Sequence, residues 1–124
     1  MLIVDRSLLN SAGSINGGVD RVINEGGVDY SFVEGGDGDV FTGQVTNMSE
    51  LFSYSSFNGD IGSWVVSNVE DMTRMFVSAV NFDHDLSDWC VSSIGSKPFH
   101  FDHYANSNFR SNDALQPRWG QICL

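Results

Sequence analysis

A block of about 25 residues occurs twice in succession in this chain, and it constrains the fold more than any other feature. Phe57, Asp60, Ile61, Trp64, Val66 and Ser67 reappear 25 positions later as Phe82, Asp85, Leu86, Trp89, Val91 and Ser92, and Phe76 reappears as Phe101. A unit of that size cannot bury its apolar side chains alone, so successive units must stack and share a core. A half-unit precedes the first full copy: Val45, Met48, Leu51 and Phe52 foreshadow Val69, Met72, Met75 and Phe76 at an offset of 24. After the second copy the pattern decays, with Ile94 answering Val69 but Lys97-Pro98 standing where Met72-Thr73 stood. Decay at the ends is what capping units do. The repeat domain is therefore placed at residues 45–124, after a separate region at residues 1–44.

Two local periods alternate inside a unit. Val69, Met72, Met75, Phe76 and Ala79 fall on one helical stripe, with Ser67 or Asn68 placed to cap its start, which predicts a short helix. The run from Phe57 to Val66 carries a turn signal at Asn58-Gly59 and then spaced apolar anchors, which predicts a tight turn and a short extended segment. The expected fold class is α/β (α+β), a short leucine-rich-repeat-like solenoid of strand-turn-helix units. Phe57, Ile61, Trp64, Met72, Phe76, Phe82, Leu86, Trp89 and Phe101 are its expected core. Trp64 and Trp89 share a repeat position and invite a sugar-stacking role, but a position that recurs through a stack is more often shared core. Variable positions between the anchors, Tyr54, Asn58, His84 and Asp88, are the expected binding face.

The run from Phe57 through Trp64-Val65-Val66-Ser67-Asn68-Val69 to Met72, Met75-Phe76 and Ala79 resembles the 25-residue repeat of BspA-like bacterial surface proteins. The closing stretch, with Trp89-Cys90, Lys97-Pro98, Phe101-Asp102, Pro117, Trp119-Gly120 and Cys123, is similar to the end of such arrays. Gly62 and Val65 depart from the family's usual Ser and Asp, and two full copies are fewer than the family commonly has. The resemblance implies a cell-surface module for adhesion or protein binding, with no catalytic residues to carry over.

Residues 1–44 follow a different rule. Gly17-Gly18, Gly26-Gly27 and Gly35-Gly36 recur every nine residues, with Ile23, Phe32 and Phe41 in register. Short strands separated by Gly-Gly turns follow from that spacing, as a small meander or a β-roll. Asp20, Asp29, Asp37 and Asp39 are weak calcium candidates by loose analogy with the nonapeptide G-G-x-G-x-D-x-U-x, and solvated turn carboxylates explain them as well.

Other chemistry is thin. His100 and His103, with His84 and Cys90 elsewhere, lack a firm third ligand for a metal and read as surface residues. Asp83, Asp85 and Asp88 read as turn caps rather than acid-base groups. Cys90 and Cys123 are the only cysteines, either two buried thiols or a disulfide closing the cap. No enzyme and no cofactor are expected.

The formal net charge of −10, with only six Lys and Arg, disfavours nucleic acid and anionic membranes as partners. Residues 1–6 hold no basic start leading into an apolar run, which predicts a chain not exported by the usual route. A surface-type module can still reach the outside within a particle that is assembled in the cytoplasm and released by lysis. The expected function is therefore a bacteriophage virion component, a capsid or tail decoration protein in multiple copies. Residues 1–44 would contact other virion proteins and the repeats would meet a host-surface protein or glycan. The alternative expectation is a free-standing cell-surface adhesion module.

Overall fold

In the computed structural model, which describes residues 2–3, 6, 22–25, 28–31, 40–121 and 123, the first third of the chain contributes two small ladders. Strand β1 (Leu2–Ile3) pairs in parallel with β4 (Val40–Phe41), Leu2 opposite Val40. Strand β2 (Val22–Glu25) pairs antiparallel with β3 (Val28–Ser31), from Val22 opposite Ser31 to Glu25 opposite Val28. The antiparallel pair fits the strand, turn, strand spacing of the sequence. The β1–β4 pair does not belong to a meander, because parallel neighbours need a long crossover between them. Strand β4 runs straight into the repeat zone, and Arg6 Nη1 donates to the Asn47 carbonyl there at 3.4 Å.

The repeat zone corrects the expected fold class. No helix spans residues 69–79 and no strand spans residues 57–66. Between residues 42 and 106 the coils are built from turns, with one isolated parallel bridge between Asn47 and Asp71. The strand-turn-helix, leucine-rich-repeat-like α/β solenoid is not what this sequence builds.

The reason lies in where alternate amides go. The N–H groups of Leu51, Ser53 and Ser55 turn back to the carbonyls of Met48, Glu50 and Phe52 at 3.1–3.3 Å. Those of Met48, Glu50, Phe52 and Tyr54 instead donate to Asp71, Thr73, Met75 and Val77 of the next coil, at 2.7–3.0 Å. One coil later Met75, Val77 and Ala79 turn back to Met72, Arg74 and Phe76, while Arg74, Phe76 and Ser78 donate onward to Phe99, Phe101 and His103. An α-helix needs every N–H to reach four residues back. Here half of them leave the coil, so no helix can propagate. The tight turns still space apolar residues three or four apart, which is why Met72, Met75, Phe76 and Ala79 imitate a helical stripe.

This backbone requires left-handed residues at fixed places. Glu50 and Tyr54, Arg74 and Ser78, and His100 and Tyr104 all have φ between 50° and 60°. Non-glycine residues rarely adopt that conformation, so three matched pairs mark a repeating requirement of the coil rather than local accident. They also reveal a slip of one residue in the last coil. By backbone conformation His100 and Tyr104 match Arg74 and Ser78, so Phe101 takes the place of Met75 and Asp102 that of Phe76. The sequence offset of 25 had aligned Phe101 with Phe76. At the place of Phe76 the last coil thus carries Asp102, which pairs with Lys97 Nζ at 2.8 Å.

All nine residues expected in the core are buried. Phenylalanines form its spine: Phe52 stacks on Phe57 at 4.7 Å and on Phe76 at 5.4 Å, and Phe76 stacks on Phe82 at 4.5 Å. Rows of polar side chains hold the coils in register on the outside. Asn68 Nδ2 donates to the Gly43 carbonyl, Asn81 Nδ2 to Ser56 and Asn106 Nδ2 to Val80, each 25 or 26 residues away. Inside, Trp89 Nε1 donates to the Ile61 carbonyl at 3.0 Å.

The stack ends in a cap that the sequence pattern did not detail. Helix α1 (Ser107–Ser111) starts at Asn106, whose side chain accepts from the N–H groups of Asn108 and Phe109. It brings Phe109 edge-on to Phe82 at 5.1 Å, in the place where a further repeat would supply its own phenylalanine. A 3-10 turn (Asp113–Leu115) follows, Trp119 meets Phe101 edge-on at 4.9 Å, and a disulfide joins Cys90 to Cys123 across a Cα separation of 5.7 Å. Gly120 is required here: its φ is +72° and a Cβ would lie 2.8 Å from the Gly95 carbonyl oxygen. Gly120→Ala should cost at least about 1–2 kcal/mol in chemical denaturation, because the left-handed penalty adds to a backbone clash. Gly95→Ala, whose Cβ would meet nothing within 4 Å, should fall within about 0.5 kcal/mol of the parent. Equal effects at both sites would sink this account of the cap.

Candidate ligand-binding face

The left-handed positions decide what the stack shows to solvent. They form two columns across the three coils: Glu50, Arg74 and His100 in one, Tyr54, Ser78 and Tyr104 in the other. Tyr54 is 77% exposed, Tyr104 66% and the neighbouring Phe99 61%, unusual for large rings in a chain whose other phenylalanines from Phe52 onward are buried. Glu50, Ser53, Tyr54, Arg74, Val77, His100, His103 and Tyr104 line a cleft of about 340 Å³. That volume is at the lower end of small-molecule sites, about 300–1,000 Å³.

The rings in and beside this cleft brace one another. His100 and His103 stack with centroids 4.3 Å apart and planes 10° from parallel, Phe99 stacks on His100 at 3.8 Å, and His103 lies against Tyr104 at 3.9 Å. Arg74 places its guanidinium carbon 5.3 Å from the centre of the Phe99 ring, a cation–π contact. Loss of water around the stacked ring, and then the like charges of His103 and Arg74, hold His100 below the ordinary histidine range. Near neutral pH it is therefore an uncharged ring, and it takes up a proton only under acidic conditions.

The residues expected to form one binding face are divided by the fold. Tyr54 lines the aromatic cleft. His84 and Asp88 line a different hollow of about 540 Å³ with Asp60, Gly62, Ser63 and Asp85, and Asn58 is tied to that side through its carbonyl, 3.1 Å from His84 Nε2. The carboxylates there serve turns: Asp60 Oδ1 accepts from the Gly62 N–H and Asp85 Oδ1 from the Ser87 N–H. Hydrogen bonding from the Ser87 side chain, and then from its backbone N–H, holds the Asp85 carboxyl below its usual range. Asp83 accepts from Asn108 Nδ2 at 2.9 Å.

Trp64 and Trp89 are 7% and 3% exposed, so neither is available to stack on a ligand. Among the described residues no three His, Cys, Asp or Glu side chains come together to hold a metal ion. Of the calcium candidates, Asp29 lies in β3 opposite Asn24, while Asp20, Asp37 and Asp39 lie outside the described residues. No helix among the described residues is long and apolar enough to cross a membrane.

Glu50, Arg74, Phe99, His100, His103 and Tyr104 were not singled out as binding residues from the sequence. Their shared column is hidden by uneven spacing, 24 residues from Tyr54 to Ser78 and 26 from Ser78 to Tyr104. One readable signal existed: Phe99, His100, Phe101, His103 and Tyr104 gather five rings into six residues, only Phe101 of them serving the repeating apolar core.

No curated protein and no solved structure matches the chain. A family profile does, over residues 38–114, which includes β4, all three turn-built coils and helix α1. With well over half of its residues inside that match, the chain belongs to the family described as Mycoplasma protein of unknown function, DUF285.

Proposed function

We propose that this chain is a non-enzymatic binding module of the surface-repeat type, and that it engages its ligand at the aromatic cleft rather than at the tryptophans of the core. The exposure of Tyr54 and Tyr104, from the first and third coils, on either side of charged and imidazole groups carries this reading. Exposed rings cost solubility unless they serve a contact, and contiguous ones mark interaction sites. The BspA-like resemblance of the repeats supports a place on a cell or particle surface. The Cys90–Cys123 disulfide supports an oxidising setting, since such bonds persist outside the reducing cytoplasm. Display on a virion and display on a cell use the same face, and immunogold labelling of phage particles and of cells would separate them.

The test uses the full chain, fluorescently labelled, on mixed arrays of glycans and surface proteins, beside a Tyr54→Ala/Tyr104→Ala variant. Both substitutions are at exposed positions, so melting temperature should stay within about 1–2 °C of the parent. Array binding should be lost. Binding that survives in the double variant, or turnover of a bound compound, would overturn the proposal.

A further inference from the structure

We infer that the aromatic cleft is a carbohydrate site selective for acidic sugars, with the anionic group held at the Arg74, His100 and His103 end. This rests on the cleft being the binding face, and it adds the class of ligand. The chain has a net charge of −10, yet two of its three histidines and one of its six Lys and Arg converge on this one cleft. Arg74 supplies the fixed positive charge of this end and the two imidazoles beside it supply hydrogen-bonding groups, a short-range combination that can hold an anion against the repulsion of an acidic surface.

A bare anion would not need the rest of the site. Tyr54 and Tyr104 occupy equivalent positions two coils apart, and backbone-paired segments lie about 4.8 Å from each other, which sets the two positions about 10 Å apart along the stack. That separation accommodates pyranose rings lying against aromatic faces. In the column order Glu50, Arg74, His100, the acidic residue comes from the first coil and the imidazole from the third, with Arg74 of the second coil between them. The Glu50 carboxylate can accept hydrogen bonds from sugar hydroxyls without facing the bound anion. The cleft thus combines a cationic end, an acceptor end and flanking rings, the three needs of a uronic or sialic acid residue in an oligosaccharide.

The charged and titratable groups around His100 are Glu50, Arg74, His103 and the phenols of Tyr54 and Tyr104. A bound carboxylate beside His100 favours its protonated imidazole, so it raises the proton affinity of that ring. Binding should therefore strengthen as pH falls through the histidine range and weaken above it.

Isothermal titration of the full chain with tetragalacturonic acid and with 3′-sialyllactose, against neutral chitotetraose and lactose, tests this. At least one acidic probe should bind, about tenfold or more tighter than its neutral counterpart, and several-fold tighter near pH 5.5 than near pH 8. Arg74→Asn should lose about tenfold in affinity, and His100→Asn should flatten the pH dependence. Asparagine tolerates the left-handed backbone at both positions, so these variants keep the coil, and an unchanged melting curve checks that they do. Equal binding of neutral and acidic probes, or no binding of either while array ligands of another class are lost in the tyrosine variant, would overturn the acidic-sugar assignment and leave the binding face standing. Acidic probes that bind the tyrosine and Arg74 variants undiminished would overturn both.

Discussion

Replacing Phe76 by alanine should lower the stability of the repeat stack by about 3–5 kcal/mol, more than any other single truncation in the core. Phe76 is fully buried and touches a ring on every side: Phe52 at 5.4 Å, Phe82 at 4.5 Å, Phe101 at 5.3 Å and Phe109 at 5.4 Å. It therefore joins the first coil to the second, and the second to both the third coil and the cap. Small domains have about 5–15 kcal/mol in total, so the loss would leave the variant near its unfolding midpoint at modest temperature. Phe76→Leu keeps most of the volume and should cost roughly half as much or less. Urea unfolding followed by tryptophan fluorescence measures both, because Trp64, Trp89 and Trp119 report from the body of the stack and from its cap. A cost under about 1 kcal/mol for the alanine variant, far below the usual range, would mean that the coils do not share this core.

Opening the Cys90–Cys123 disulfide should cost about 3–4 kcal/mol on the chain-entropy estimate, since the bridge spans 33 residues. Cys123 is exposed and Cys90 half-buried, so a thiol reductant can reach the bond without unfolding the chain. Reduced protein and Cys123→Ser should behave alike, with a lower melting point and faster amide exchange in the segment that seats Trp119 on Phe101. The coil amides of Met48, Phe52 and Phe76 should remain protected. Protection lost evenly across all coils would show that the cap and the coils unfold as one unit, and an unchanged melting point would show that the bridge constrains nothing.

Both effects turn on features of unequal legibility. The spine of phenylalanines could be read from spacing alone, because a ring that returns at the same place in each unit has to be shared between units if it is to leave water. The two tryptophans follow the same logic and are buried. The sequence leaves two states open for Cys90 and Cys123, because thiol chemistry depends on a distance that a sequence separation of 33 does not reveal. The helix was misread for a definite reason. Met72, Met75, Phe76 and Ala79 have helical spacing, but periodicity records where side chains point and not where N–H groups are satisfied. In this chain alternate N–H groups are satisfied by the next coil, and the apparent helical face is a row of tight turns.

The sequence by itself determined the unit length, the decay into a cap and the identity of the core, since each follows from the need to bury recurring apolar side chains. Only the tertiary structure decided the path of the backbone and the composition of the exposed face. Left-handed conformations at Glu50, Tyr54, Arg74, Ser78, His100 and Tyr104 have no signature in residue type, there being no glycine or asparagine among them. In the first two coils Glu50, Tyr54, Arg74 and Ser78 are held by hydrogen bonds to Thr73, Val77, Phe99 and His103 of the following coil, and those bonds exist only once the coils are stacked. The cleft follows from the same bonds. Tyr54 and Tyr104 are 50 residues apart in the chain and become neighbours on one surface because two coil-to-coil ladders, slipped by one residue at the last step, bring their positions into line.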